Sequence, residues 1–323
     1  MNRLARTIAA ALCTALAVSA SAATPYPSQP VKLVVGYAPG GSTDVFARAL
    51  AVRLGERWKR EVIVDNKPGA SEIVGAAAVA SAKPDGHTLL VATDQALLSN
   101  EFLFSKLPYS PTQSFIPIVR AMNAPMVLVV RTSSPYQNLA QLIEAARQQP
   151  GKLSYSSNGP GGHIHQALNW LGVKSGAQFI HVPYKGGAQA IQAVLASDVD
   201  MTTVPLSVAE TFLKADTLRA LAVTSPQRIP VLSAVPSMTE LGYDVDVQAL
   251  SAVAAPAGTP AAIVAQISED VRAILADPAF RAREIDRFGF FVVGDTPSEF
   301  ADYLRRAAPT YRARIAAANV KLD

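Results

Sequence analysis

Apolar residues recur along the chain in two alternating patterns, short β-branched runs and longer stretches with helical spacing. The run at residues 31–35 is apolar except for Lys32, as expected for a strand buried in a parallel sheet. It stops at Gly36, and from residue 42 onward the apolar positions follow the helical repeat. The chain therefore opens as a strand, a glycine-rich turn and a helix.

The same alternation continues and predicts an α/β fold with a doubly wound sheet. The further predicted strands are residues 61–65, 88–93, 126–130, 153–155, 179–182, 199–204 and 218–223, and the further predicted helices are residues 73–82, 139–147, 165–171, 188–196, 261–276 and 299–317. The proline-rich residues 107–125 are expected to be irregular. The apolar residues 248–256 are expected to return the chain to the first unit, on which the last helix should pack.

Two glycine-rich turns each join a predicted strand to a predicted helix. In the turn at residues 36–44, Gly40 and Gly41 admit positive φ, and Ser42 or Thr43 can cap the helix. The turn at residues 156–162 has the same kinds of residue. Because a helix N-terminus offers free N–H groups and partial positive charge, each turn can hold a small anion. Together they fit a cleft closed over one ligand; the alternative is that both are ordinary turns.

The third predicted strand ends at Thr93 and Asp94. Ligands of open α/β sheets bind beyond the carboxyl ends of the strands, so these residues are expected near the first turn. The chain should cross between its two units near residues 124–127 and again near residues 251–254. A ligand that touches both glycine-rich turns would then favour a closed arrangement.

The first 22 residues have the pattern of a secretory signal peptide, with Arg3 and Arg6 before an apolar run and a small-residue cleavage signal that ends at Ala22. The only cysteine, Cys13, lies inside it, so the mature chain has no thiol for a disulfide, a nucleophile or a metal. Cleavage lowers the net charge from +4 to about +2. Without a basic patch, this balance argues against a nucleic-acid partner. No later stretch has the roughly 18 uninterrupted apolar residues of a membrane helix, so the mature protein should not be membrane-embedded.

The motifs of several enzyme and cofactor classes are incomplete. The first turn nearly fits a phosphate loop, but Ser42 stands where lysine is needed and Asp44 would repel phosphates, which argues against ATP and GTP. His163 and His165 would point in different directions on a helix and have no nearby carboxylate, which argues against a metal. No G-x-S-x-G elbow appears. We therefore expect no cofactor, no metal and no enzymatic activity.

A set of motifs runs through the mature chain: YPSQP at residues 26–30, YAPGGSTD at 37–44, NKPGA at 66–70, KPDGHTLL at 83–90, HVPYKGG at 181–187, LRALAVT at 218–224 and APAGTP at 255–260. Together these motifs resemble the Bug family, the periplasmic solute-binding proteins of tripartite tricarboxylate transporters. The resemblance implies a two-lobed Venus-flytrap protein with a central, mostly parallel sheet in each lobe. Lobe 1 would comprise residues 23–125 and 252–323, and lobe 2 residues 126–251.

The resemblance further implies a small carboxylate ligand, held by the two glycine-rich turns through backbone groups and bridging waters. The ligand-binding residues expected from it are Tyr37, Ala38, Pro39, Gly40, Gly41, Ser42, Asp44, Thr93, Asp94, Ser157, Asn158, Gly159, Gly161, Gly162, His165 and Pro205. The expected partners are the membrane permease subunits of a tripartite tricarboxylate transporter. The protein itself is expected to be a periplasmic monomer.

Three positions depart from the family's usual pattern. Gly162 stands where relatives commonly have a hydroxyl residue, Gln166 replaces a leucine, and Asp94 is unusual after the third strand. Asp94 near the cleft would favour a ligand with an amine or disfavour a second carboxylate. Two alternatives to a transport receptor stay open: a secreted hydrolase that uses a serine with His163 or His165, and an orphan sensor that passes its ligand to a signalling partner.

Overall fold

The computed structural model describes residues 25–184 and 187–322. The predicted signal peptide, with Cys13, lies outside the described residues, as do Lys185 and Gly186 of the HVPYKGG motif. In the part of the chain that is described, no helix combines the length and the apolar character needed to cross a bilayer.

The predicted alternation of strands and helices is present, which confirms the α/β class. The strands are β1 (Val31–Val35), β2 (Val62–Asn66), β3 (Thr88–Ala92), β4 (Phe115–Arg131), β5 (Ser154–Ser157), β6 (Ile180–Pro183), β7 (Met201–Pro205), β8 (Leu218–Val223), β9 (Gln248–Pro256) and β10 (Phe291–Val292). The helices are α1 (Ser42–Trp58), α2 (Ile73–Ala80), α3 (Asn100–Leu103), α4 (Leu139–Gln148), α5 (His163–Ser175), α6 (Gly187–Ala196), α7 (Leu206–Lys214), α8 (Ala261–Ala276), α9 (Pro278–Glu284) and α10 (Pro297–Ala318). A π-helical segment (Gln95–Ser99) leads into α3, and short 3₁₀ turns lie at Pro230–Leu232 and Asp286–Phe288.

All ten strands belong to one mixed sheet. Its order is β2-β1-β3-β9-β4-β7-β5-β6, and β8 and β10 also pair with β4. The outer groups β2-β1-β3 and β7-β5-β6 are parallel. The pairs made by β4 and β9 are antiparallel, so the sheet is less parallel than expected. The reason is topological, because β4 carries the chain out of the first part of the sheet and β9 carries it back.

The strand β4 corrects the expectation of irregular structure at residues 107–125. It begins at Phe115 and continues for 17 residues. The strand was not predicted because it contains prolines, and proline lacks the N–H group that a regular β-ladder requires for its hydrogen bonds. The register with β9 shifts between Pro117 and Val119, and such an irregularity accommodates a proline. The prediction was therefore wrong for residues 115–125.

The β4 strand divides the molecule into two halves. Its residues up to Pro125 pair with β9, and those from Met126 pair with β7 and β8. We call the part built on β1, β2, β3, β9 and β10 the first half, and the part built on β5, β6, β7 and β8 the second half. On the return path, Gln248 already pairs with Pro125, whereas Val247 packs in the core of the second half. The chain thus changes halves between residues 247 and 248, ahead of the expected 251–254.

Each half has its own hydrophobic core. In the first half the two faces of the sheet are both covered: Leu33 lies in one apolar cluster with α1 and α8, and its neighbour Val34 lies in another with α2 and Phe300 of α10. This is the two-residue alternation of a strand between two helical layers. The last helix packs on the first unit as expected, through Phe300. It also packs against α5, and Arg314 donates a hydrogen bond to the carbonyl oxygen of Asp246, so α10 spans both halves.

The packing of α1 predicts the effect of a cavity beneath it. Leu50 is fully buried in the first-half core, whereas Val52 on the same helix is 60% exposed. Leu50→Ala should lower the free energy of unfolding by about 2–5 kcal/mol, because it removes buried methyl groups and leaves a cavity. Val52→Ala is the matched control and should change it by less than about 0.5 kcal/mol. Equal denaturant midpoints for the two variants would contradict this packing.

Candidate functional site

The first loop, residues 37–42, joins β1 to α1 and leaves the start of that helix without a side-chain cap. Gly41 is the N-cap residue and no side-chain hydrogen bond is formed there, so the expected capping by Ser42 or Thr43 was wrong. The φ of Gly41 is −76°, a value open to any residue, while Gly40 has φ +90° and requires glycine. The expectation of positive φ thus holds for Gly40 only. Uncapped N–H groups at this helix end are available to an anion.

Asp44 maintains the shape of the first loop. It is 2% exposed, and Oδ2 accepts hydrogen bonds from Gly40 N at 2.9 Å and Arg48 Nε at 3.0 Å. Asn66 Nδ2 donates to the other oxygen at 2.8 Å. Burial acts to raise the pKa of Asp44, but the hydrogen bonds from Arg48, Gly40 and Asn66 outweigh it and lower the pKa. Because both carboxylate oxygens accept hydrogen bonds from the protein, Asp44 positions the loop; its expected contact with a ligand stays a prediction.

The residues that follow β3 lie beside the first loop, as predicted from their place in the sheet. Thr93 Oγ1 is 3.3 Å from Tyr37 OH of that loop. Asp94, which is 1% exposed, extends towards the second half, where its Oδ1 lies 2.6 Å from His163 Nε2. The same oxygen accepts a hydrogen bond from Leu250 N at 3.3 Å. The β3 exit, residues 93–94, therefore contacts elements of both halves.

Asp94 and His163 form a buried pair between the halves, which is an ion pair when His163 is protonated. His163 is 7% exposed and stands at the first position of α5. Burial alone would lower the pKa of His163, but the charge and hydrogen bond of Asp94, together with the charge of Glu72, raise it. This contact was not predicted, because residues 94 and 163 are far apart in the sequence and no local pattern relates them.

The second loop, residues 157–162, uses several of its own N–H groups internally. Gly161 N donates to His165 Nδ1 at 2.9 Å, and Gly159 N donates to Ser157 Oγ at 3.0 Å. His165 therefore orients the loop, although it was expected among the ligand-binding residues. Asn158 is exposed at the loop surface. As in the first loop, the N-cap residue of the following helix is a glycine, Gly162, with no side-chain cap.

The second loop is also fixed against the first half. Gln166 Nε2 donates to Gly161 O at 2.9 Å and to Ser99 Oγ at 3.2 Å. A Cβ on Gly161 would lie 2.6 Å from a methyl group of Leu103, so the loop backbone packs closely on the segment after β3. These two hydrogen bonds explain the glutamine at position 166, where a leucine is usual, because its amide connects the two halves.

The alternative hydrolase would pair a serine with His163 or His165. In the second loop, the hydroxyl of Ser157 instead lies 2.6 Å from Nε2 of His181. Ser157 is fully buried, and its hydroxyl is also bonded to the backbone of Gly159. His165 stacks on His181 with 4.0 Å between ring centroids, and burial followed by the nearby His181 lowers the pKa of His165 to about 4. Among residues 25–184 and 187–322, no three His, Cys, Asp or Glu side chains are grouped so as to hold a metal.

A cavity of about 300 Å³ lies between the two halves, and two helix N-termini border it. The first half contributes Gly40, Gly41 and Ser42, and the second half contributes Pro205, Ser207 and Val208. The remaining wall is mostly apolar and is formed by Val45, Phe46, Phe288 and Phe290 with Glu284. Pro205 is the N-cap residue of α7, again without a side-chain cap. Helix α8 also starts without a side-chain cap. An uncapped helix end alone therefore does not identify a candidate binding site, and the cavity shared by the two halves is the distinguishing feature.

Comparison with known proteins gives one matching family model and several similar solved structures. The family model described as "Tripartite tricarboxylate transporter family receptor" matches residues 46–306. The structure of Rpa4515 from R. palustris with adipate is similar with a TM-score of 0.83 and 29% identity, over 92% of this chain and 99% of that one. The periplasmic binding protein BugD is similar with a TM-score of 0.79 and 30% identity, over 92% and 99%. MatC (Rpa3494) from Rhodopseudomonas palustris with bound malate has a TM-score of 0.78 and 26% identity, over 90% and 100%.

The pair between the halves predicts a pH-dependent stability. Because the pKa of His163 is raised in the folded state, its contribution is complete below the unfolded pKa of about 6.5 and is lost as the pH rises through the folded value. His163→Gln should therefore destabilise the protein by about 1.5–3 kcal/mol near pH 5.5 and by less near pH 8.5. Melting temperatures of parent and variant across this range measure the difference.

His165→Gln is the matched control, since the pKa of His165 is lowered in the folded state. The parent loses stability through this residue as the pH falls below about 6.5, so the cost of the substitution should shrink at low pH. The two variants are thus expected to show opposite trends. A cost of His163→Gln that does not change with pH would mean that the pair is not ionic.

Proposed function

The chain belongs to the receptor family of tripartite tricarboxylate transporters and is a periplasmic solute-binding protein of the Bug type, and on this premise we propose that it captures a small carboxylate between its two halves and delivers it to the permease subunits of such a transporter. The resemblance noted in the sequence is thereby confirmed at the level of the family. The ligand-binding residues proposed from it are those of the two loops, the β3 exit and Pro205. Asp44 and His165 are proposed to act by positioning these loops.

The observation that carries the proposal is the cavity between the halves. The uncapped N-termini of α1 and α7 border it from opposite sides, and each offers backbone N–H groups and partial positive charge. A carboxylate is the kind of ligand group that such N–H donors bind, with about 1.5–3 kcal/mol for each hydrogen bond to a charged group. The apolar wall would accommodate the carbon skeleton of an organic acid.

Related proteins support the choice of ligand class. Rpa4515 is described with adipate and MatC with bound malate, both of which are small carboxylates. A hydrolase is less well supported, because the hydroxyl of Ser157, which contacts His181, also donates a hydrogen bond to the backbone of the second loop. An orphan sensor shares the same binding chemistry. Only the partner would distinguish it from a transport receptor.

A thermal-shift screen tests the proposed function directly. The mature protein would be screened against monocarboxylates, dicarboxylates, tricarboxylates, aromatic acids and acidic amino acids, with the corresponding amides as controls. We expect at least one acid to raise the melting temperature while its amide does not. A screen in which acids and amides behave alike would contradict the proposal.

A carboxylate introduced at Gly41 should block binding of the acid that the screen identifies. At about 4 Å and an effective dielectric constant near 20, two like charges repel by about 4 kcal/mol, so Gly41→Glu should weaken binding by roughly a thousandfold. Folding should be little affected, since φ at Gly41 is −76° and a Cβ there meets only the carbonyl oxygen of Ala38, at 3.9 Å. Calorimetry gives the affinity, and a melting curve reports the fold.

Gly41→Gln separates charge from size, because glutamine has nearly the same shape as glutamate but no charge. It should bind the same acid at least tenfold more tightly than Gly41→Glu does. A folded Gly41→Glu protein that binds as tightly as the parent would show that the first loop is only a turn.

A further inference from the structure

A buried carboxylate that the sequence analysis did not consider lies next to the β3 exit. Glu72 is 1% exposed, and it accepts three hydrogen bonds. These come from Thr93 Oγ1 at 2.6 Å, from Thr93 N at 3.2 Å and from Ala96 N at 3.1 Å. Three converging donors suit a carboxylate, which only accepts when ionised. The β3 exit therefore forms an anion-binding position, and the side chain of Glu72 fills it.

The backbone is strained where it directs Glu72 inward. Ala70, Ser71 and Glu72 have φ of 44°, 54° and 70°, which makes three consecutive non-glycine residues in the left-handed region. Each such residue is unfavourable and persists only when its surroundings hold it there. Asn100 Nδ2 holds the turn by donating to Ser71 O at 2.8 Å. Gly36 leaves the room needed, since a Cβ at that position would lie 2.7 Å from Cγ of Glu72.

The filled position lies between the two loops. Thr93 Oγ1, which donates to Glu72, is 3.3 Å from Tyr37 OH of the first loop. Burial raises the pKa of Tyr37, and the negative charge of Glu72 raises it further. On the other side, Asp94 joins the β3 exit to His163, which directly follows the second loop. Glu72 is therefore linked to the first loop through Thr93, and it lies next to the strand exit whose Asp94 contacts His163.

The hydrogen-bond donors to Glu72 are all uncharged, whereas Asp94 contacts His163. Asp94 is paired with His163 at 2.6 Å, whereas the partners of Glu72 are the hydroxyl and N–H groups given above. Burial, and to a smaller extent the charge of Asp94, raises the pKa of Glu72 to about 7 although its hydrogen bonds oppose this. At about pH 8 the group is mostly ionised. The selective role expected for Asp94 stays a prediction, and Glu72 is a second buried carboxylate at the same strand exit.

We propose that Glu72 determines specificity by occupying an anion-binding position of the cleft, so that this receptor selects acids with one carboxylate over the corresponding diacids. The inference rests on the proposed function and deepens it. The hydrogen-bond donors of the β3 exit are already bonded to Glu72. A ligand carboxylate placed near them would be repelled by the negative charge of Glu72. The cavity between the halves has a mostly apolar wall, and the charged residue among those that line it is Glu284. The ligand's single carboxylate is left to the helix N-termini.

Pairs of acids with the same carbon skeleton test this inference. The probes are hexanoate and adipate, butyrate and succinate, and 2-methylbenzoate and phthalate, measured by calorimetry with the full mature chain at about pH 8. The parent should bind the monoacid of its best pair roughly two- to three-hundredfold more tightly than the diacid, the size expected for two like charges near 5 Å at an effective dielectric constant near 20.

Two variants of Glu72 separate occupancy from charge. Glu72→Gly frees the position and suits the positive φ there, so affinity for the diacid should rise at least tenfold while that for the monoacid changes less than threefold. Glu72→Gln removes the charge but still fills the position, so the preference should shrink without reversing. A melting curve confirms the fold, and if Glu72→Gly does not fold, the glutamine variant still decides.

The outcomes are distinct. A parent that binds the diacid as tightly as its monoacid, or folded variants with unchanged preference, would overturn this inference and leave the proposed function intact. If neither the parent nor the variants bind any of the six acids, this inference fails; the proposed function fails as well only if the wider thermal-shift screen also finds no acid that binds.

Discussion

The hydrogen-bonded β3 exit is the point on which the site depends. The hydroxyl of Thr93 contacts Tyr37 of the first loop and donates a hydrogen bond to Glu72. Asp94 contacts His163, the first residue of the helix that follows the second loop. Taking Asp94 and His163 out of water is costly, and their mutual attraction offsets this only while the two side chains stay in contact. Because the partners belong to different halves, this contact exists only when the halves are together. The exit of one strand thus couples the arrangement of the halves to the geometry of the cleft.

The local elements could be predicted from the sequence because their apolar spacing is regular. β1, α1, α8 and the parallel strand groups follow directly from it, and the two glycine-rich turns follow from the residues between them. The long strand β4 could not be predicted in full, since its prolines resemble a loop and are tolerated only where the register with β9 is irregular. The last helix was assigned to one half because a hydrophobic stripe shows that a face is buried, but not against what.

The positions of the site's backbone turns could be predicted from the sequence, but the contacts of its side chains could not. Glycines before helix starts indicate anion-binding turns, and the placement of Thr93 follows from sheet topology. The burial of Glu72 could not be predicted, because a glutamate after a proline–glycine turn is expected to be exposed to solvent. Its burial depends on the left-handed φ of Ala70, Ser71 and Glu72 itself. The hydrogen bonds that Asp44 accepts from Arg48, Gly40 and Asn66 could not be predicted either, because its position in the sequence does not show them. In the account proposed above, the loop backbones hold the ligand and the buried Glu72 sets which acids are accepted.

The central claim is that one small acid is held between the two halves, and small-angle scattering tests it most directly. The mature protein would be measured alone and at saturation with the acid that gives the largest rise in melting temperature, with binding confirmed in the same samples. The account predicts a smaller radius of gyration with ligand, because contacts to both halves favour the closed arrangement. An unchanged radius of gyration at confirmed saturation would contradict capture between the halves.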